Sequence, residues 1–140
     1  MERLSRLLVK DGEGATRVME IRVSGGRTDA EAQACARQIA GSPLVKTMLA
    51  GGDPNIGRIA AAAGASPARF EARRLRIWIG SRLVVWQGTV LAGAQASVRL
   101  LLNRPEVNVR VDLGTGSGRG RMLTCDLTED YVRINAGYAS

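Results

Sequence analysis

Residues 42–64, SPLVKTMLAGGDPNIGRIAAAAG, constrain the fold more than any other stretch of the chain. A stop at Gly41-Ser42-Pro43 leads into a short apolar run over 44–49. Gly51-Gly52-Asp53-Pro54-Asn55 then turns the chain into a helix predicted over 56–63. Asp53 before Pro54 is a helix-opening pair: the carboxylate accepts orphan N–H groups, and a proline at the first helical position loses nothing by lacking its own. The body of that helix, Ala60-Ala61-Ala62-Ala63, carries almost no side-chain bulk, so other backbone can approach it closely. Two uses fit so lean a helix. It packs inside the fold, or its positive N-terminus receives a ligand beside Asn55 and Arg58.

The flanking patterns set the fold class. Residues 1–10 place Leu4, Leu7 and Leu8 in an i, i+3, i+4 stripe, a short amphipathic helix that begins without a capping residue. Asp11-Gly12-Glu13-Gly14 ends it. Glu13, between two glycines, is either a solvated loop acid or a carboxylate held out for a cationic ligand. Residues 17–24 alternate Met19, Ile21 and Val23 against Val18, Glu20 and Arg22, a strand with one buried face. Thr28 stands three residues ahead of Glu31 as a capping box for a helix over 29–40 that buries Ala32, Cys35, Ala36 and Ile39. Residues 75–79 and 83–86 flank Gly80-Ser81-Arg82 as a β-hairpin, with Trp78 and Trp86 expected as cross-strand or core residues. A helix over 92–103 and a strand over 106–113 follow. The glycine run 114–121 feeds another strand over 122–125 and no helix, so it is not a phosphate loop and predicts a flexible hairpin tip. A turn over 126–130 and a last strand over 131–135 close the chain. The expectation is a mixed α/β (α+β) chain of layered sheet and helices, a single domain over 1–140.

Composition removes several functions. The chain has no histidine and two cysteines 90 positions apart, which excludes Ser-His and Cys-His nucleophile pairs and histidine- or thiolate-held metal sites. Cys35 and Cys125 read as buried thiols of a reducing cytosol, not a disulfide. No window approaches the roughly 18 uncharged apolar residues of a membrane span. The net charge of +7 comes from 20 basic residues spread along the chain, a basic solvated surface without the interleaved aromatics of an RNA reader. No cofactor, membrane or nucleic-acid partner is expected.

Four segments, DGEGAT at 11–16, SPLVKT at 42–47, DPN-x-GR at 53–58 and CDLTEDYVRINA at 125–136, occur in an order and spacing that resemble one family: the bifunctional ornithine acetyltransferases / N-acetylglutamate synthases of arginine biosynthesis. The resemblance covers essentially the whole chain and implies the fold of that family's C-terminal domain, of the DmpA-like type. It implies an acyltransferase that moves acetyl from N-acetylornithine to glutamate, with a nucleophilic threonine freed by self-cleavage and using its own α-amino group as base. The family's cleavage run, alanine-threonine-methionine-leucine, lies upstream of DGEGAT. Lys46-Thr47-Met48-Leu49 imitates it, but Thr47 is the threonine of SPLVKT and is not assigned as nucleophile. No catalytic residue is therefore expected in this chain.

Glu13 matches the family's substrate-binding glutamate, Asn135 the asparagine of the terminal motif, and Ser140 the hydroxyl of the last residue. Two positions depart from the family: Ile56 stands where it usually has tryptophan, and Gly137 where it has an acid. The resemblance further implies a cytoplasmic hetero-oligomer of (αβ)2 type, completed by an α chain and the rest of the β chain. A second reading is a non-catalytic α/β module that binds amino acids or a partner protein, and a third is a basic nucleic-acid-binding domain, which a steep salt dependence would reveal.

Overall fold

In a computed structural model the described residues are 17–51 and 54–126. They form one mixed sheet with its helices on one face. The strands are β1 (Val18–Gly26), β2 (Arg76–Ile79), β3 (Arg82–Trp86), β4 (Thr89–Val90), β5 (Glu106–Asp112) and β6 (Gly118–Cys125), in the order β4-β3-β2-β5-β1-β6. β1 runs parallel to β5, and every other neighbouring pair is antiparallel. The helices are α1 (Asp29–Gly41), α2 (Pro43–Gly51), α3 (Gly57–Ala65) and α4 (Ala94–Leu102).

The period-two stretches became strands for the expected reason. Met19, Ile21 and Val23 of β1, and Val107, Val109 and Val111 of β5, point to one face and are buried there with Ala32, Cys35, Ala36 and Ile39 of α1. The Thr28 cap forms, its Oγ1 accepting the Glu31 N–H at 3.1 Å. The box is left half-made, because Glu31 turns away to accept the Arg69 N–H at 2.7 Å and Arg27 Nε at 2.6 Å. It thereby ties the loop after α3 to the start of α1.

Several expectations are corrected. The apolar run 44–49 lies within helix α2, its buried Val45, Met48 and Leu49 spaced at three and four residues. Helix α3 starts at Gly57, not at the Asp53-Pro54 pair. Its N-cap is Ile56, which offers no side-chain cap, while the Ile56 N–H is spent on Pro54 O at 2.9 Å; Asp53 lies outside the described residues. Trp78 and Trp86 sit on the outer face of the sheet, not in the core: both indoles flank Arg76, at 5.5 and 5.8 Å, and Trp86 is 43% exposed. Their cross-strand placement holds. A two-residue turn at Gln87-Gly88, both with positive φ, adds the short strand β4.

The largest correction concerns the glycine run. It is not a hairpin tip joining β5 to its neighbour. Residues 114–117 carry the chain past β1, so that β6 pairs with the far side of β1, Cys125 opposite Val18 and Gly120 opposite Val23. There α1 lies almost on the backbone of β6. A Cβ on Gly118 would sit 2.2 Å from Thr28 O, and one on Gly120 would sit 2.4 Å from the Gln33 backbone nitrogen. α1 also serves β6 with side chains: Asp29 Oδ1 accepts the Arg119 N–H at 2.9 Å, and the Gln33 amide bonds both the N–H and the C=O of Arg121 at 2.8 and 3.0 Å.

The predicted helix over 1–10, the turn over 126–130 beyond Asp126, and the strand over 131–135 lie outside the described residues.

Gly118→Ala is expected to cost about 2–3 kcal/mol in urea melts, because rigid backbone opposes the new methyl. Gly64→Ala, inside α3 with nothing within 4 Å, should add about 0.5–1 kcal/mol. The Arg69 N–H first, and Arg27 after it, hold the Glu31 carboxyl below the usual glutamate range. A depressed folded pKa stabilises above the unfolded value and is lost as pH falls through the folded one. Glu31→Gln should therefore flatten the acid limb of stability below about pH 4.3, measured by urea midpoints against pH.

Candidate functional site

Arg17 joins the start of β1 to the end of β6 and to two helix ends. Its backbone ends β1 against the start of the C-terminal motif: Arg17 N–H donates to Asp126 Oδ1 at 3.0 Å, and Asp126 N–H donates back to Arg17 O at 3.1 Å. Asp126 is fully buried. Segment 11–16 and segment 127–140 therefore leave the described fold from adjacent backbone positions.

The Arg17 side chain reaches a third segment. Nη1 donates to Leu49 O and Ala50 O, each at 2.7 Å, and Nη2 to Asn103 Oδ1 at 3.2 Å. Leu49 and Ala50 belong to the last turn of α2, and Asn103 is the C-cap of α4. A helix leaves its last four carbonyls unpaired and its C-terminus partly negative. One guanidinium answers both helix ends. The end of α1 lies at the same sheet edge, where Thr124 Oγ1 donates to Ala40 O at 3.1 Å. Three helix C-termini thus gather where β1 begins and β6 ends.

The sequence-predicted site residues, Glu13, Asn135 and Ser140, lie outside the described residues, as does Gly137. What the fold shows is the exits of the segments that carry them. Glu13 is four positions before Arg17, and Asn135 and Ser140 follow Asp126. Of the other motifs, SPLVKT begins α2, whose far end Arg17 binds, and the chain then passes through DPN-x-GR into α3. Arg58 donates to Leu44 O at 3.1 Å and so fastens α3 to α2, while Ile56 is fully buried where the family's tryptophan would be. Thr47, exposed on α2, donates its hydroxyl to Pro43 O at 2.7 Å, a local helical bond.

Arg17 and Asp126 were not singled out by pattern. Arg17 read as the first residue of a strand and Asp126 as the opening of a turn, since their partners are distant in sequence. Cys35 and Cys125 are free and buried, and burial pushes the Cys35 thiol up despite a hydrogen bond with Ser66. Among the described residues no group of three or more acidic or cysteine side chains could hold a metal ion, and no helix is long and apolar enough to cross a membrane.

A mixed sheet with helices on one face, its β1 and β6 joined by the Arg17–Asp126 pair, defines an α/β scaffold. The profile of the ArgJ family matches residues 1–140, and the chain belongs to that family. It is 48% identical over 139 residues to the arginine biosynthesis bifunctional protein ArgJ of Thermus thermophilus, covering 99% of this chain and 36% of that protein. Identity to the protein of the same name from Synechocystis is 46%, with the same coverage of both. The crystal structure of ArgJ from Bacillus halodurans superposes with a TM-score of 0.86 at 40% identity, covering 98% of this chain and 65% of the crystallised one. The chain thus spans about a third of the length of the curated relatives it matches.

Replacing Arg17 with Met keeps the length of the side chain and strands the carbonyls of α2. The expected loss is about 1.5–3 kcal/mol in denaturant melts, the range for hydrogen bonds from a charged donor. Hydrogen exchange should locate it, with amides of residues 45–51 losing protection more than those of β5.

Proposed function

We propose that this chain contributes the substrate-binding part of an acyltransferase of arginine biosynthesis, one that moves acetyl from N-acetylornithine to glutamate. Its Glu13, Asn135 and Ser140 contact the substrate, and the nucleophilic threonine comes from outside residues 1–140. The observation that carries the reading is the pairing of Arg17, the residue after DGEGAT, with Asp126 of the C-terminal motif, in a chain that belongs to the ArgJ family.

The chemistry of that edge favours an amino-acid substrate. Helix C-termini present partial negative charge, and Glu13 brings a full one to the same substrate site in this reading, which suits the ammonium group of ornithine or glutamate. An amide at Asn135 and a hydroxyl at Ser140 supply the neutral donors that a substrate carboxylate requires. Arg17 offsets part of the negative charge and holds the helix ends in place. Acetyl transfer then proceeds through an acetyl-threonine ester: the threonine oxygen attacks the amide carbonyl, ornithine leaves with the proton, and the glutamate amine takes the acetyl group. An α chain and the remainder of the β chain complete the enzyme as a hetero-oligomer, and the two free buried thiols suit the cytosol.

Acetyl transfer from N-acetylornithine to glutamate tests this. The chain alone should be inactive, and co-expression with the upstream two-thirds of the Thermus thermophilus relative should restore transfer. Glu13→Gln in that complex should lower kcat/KM by about tenfold or more. Failure to restore activity, with both pieces folded, would turn the assignment toward a non-catalytic module of the same family.

A further inference from the structure

The outer face of the sheet, away from the helices and from the Arg17 edge, carries an arrangement that the acetyltransferase reading does not use. Arg121 of β6, Arg22 of β1 and Arg110 of β5 stand directly opposite one another in one cross-strand row. Like charges placed so repel. The row continues on β2, where Trp78 is the register partner of Arg110 and carries its guanidinium over the indole ring at 4.1 Å.

How these arginines are held decides what they can do. One carboxylate, Glu20, 8% exposed in its side chain, serves two of them: Oε1 lies 2.9 Å from Arg22 Nε, and Oε2 lies 2.9 Å from Arg121 Nε. Arg121 Nε donates a hydrogen bond to Glu20, Arg22 Nε makes an ion pair with it, and both leave the terminal N–H fork unspent. Arg110 is held by the flat of its guanidinium, which leaves its in-plane donors open as well. Among the described residues, no side chain or carbonyl takes these remaining donors. The side chains are 58% exposed at Arg22 and 43% at Arg121. Above the row is an open cleft of about 660 Å³, lined by Arg22, Ser24, Gln33, Arg110, Arg119 and Arg121, with no carboxylate in its lining.

We propose that this cleft binds a small oligophosphate, a ligand whose neighbouring phosphate groups are gripped by the forks of Arg22 and Arg121, with Arg110 and Arg119 alongside. Guanidinium forks match the paired oxygens of phosphate, and several of them call for several adjacent anionic groups. Glu20 is the positioning residue, because it aims two forks without occupying them. The indole face of Trp78 is taken by arginine, so recognition rests on the phosphates and needs no stacked base.

Calorimetric titration of the chain with sodium tripolyphosphate tests the proposal. One ion should bind per chain, and Arg22→Lys, which keeps the charge and removes the fork, should weaken binding by about tenfold. Glu20→Gln separates a built clamp from a merely basic surface. Its amide can accept one Nε but sets an N–H against the other, so a clamp loses affinity although the net charge rises. Thermal melts of each variant confirm that it is folded. Tighter binding by Glu20→Gln, indifference to Arg22→Lys, or no binding of tripolyphosphate at millimolar concentration would overturn the proposal. So would tighter binding of single-stranded DNA with a steep salt dependence, which would make the face a nucleic-acid surface.

Discussion

The close approach of α1 to β6 is the contact on which the rest of the architecture depends. β6 can flank β1 on the side away from β5 only if its positions under the first turns of α1 have no side chain, and Gly118 and Gly120 meet that need. With β6 in place, β1 becomes an inner strand, and its apolar face closes under α1. The start of β1 and the end of β6 are then neighbours. That adjacency brings residues 109 positions apart in sequence together as one hydrogen-bonded pair, Arg17 and Asp126. The methyl that Gly118→Ala would add therefore bears on the edge site as well as on the packing.

Much of this was legible in the chain. Period-two alternation marked β1 and β5, the runs around Gly80-Ser81-Arg82 marked the β2-β3 hairpin, and the Thr28 cap marked the start of α1, because these signals arise from neighbours in sequence. What was not legible has a common cause. An apolar run of six residues fits a strand or a helix equally, and only the packing of Val45, Met48 and Leu49 decides for α2. Glycine for a turn and glycine for close approach look the same in a sequence, so residues 114–121 read as a hairpin tip. Arg17 binds carbonyls 32 and 33 positions away and an amide 86 positions away, partners that no local pattern announces. For the candidate site, the motifs named its segments, and the fold added the pairing of Arg17 with Asp126.

The two faces of the sheet show different solutions to charge. On the inner face there is none to manage. On the outer face Arg76 pairs with Asp112 between two indoles, while Arg22 and Arg121 share a single acid and Arg110 has only an aromatic ring. A chain of net charge +7 must place cations somewhere, but a row of facing arginines is a costly place for them unless an anion completes it.

The side chains that α1 lends to β6 carry a consequence for assembly. A bare outer strand is a template on which another chain can add a strand of its own. Here Asp29 and Gln33 already occupy the outward backbone groups at Arg119 and Arg121, and at the opposite margin β4 is two residues long. Among the described residues, both margins are thus poor templates for an added strand, which favours assembly through the faces and the helices.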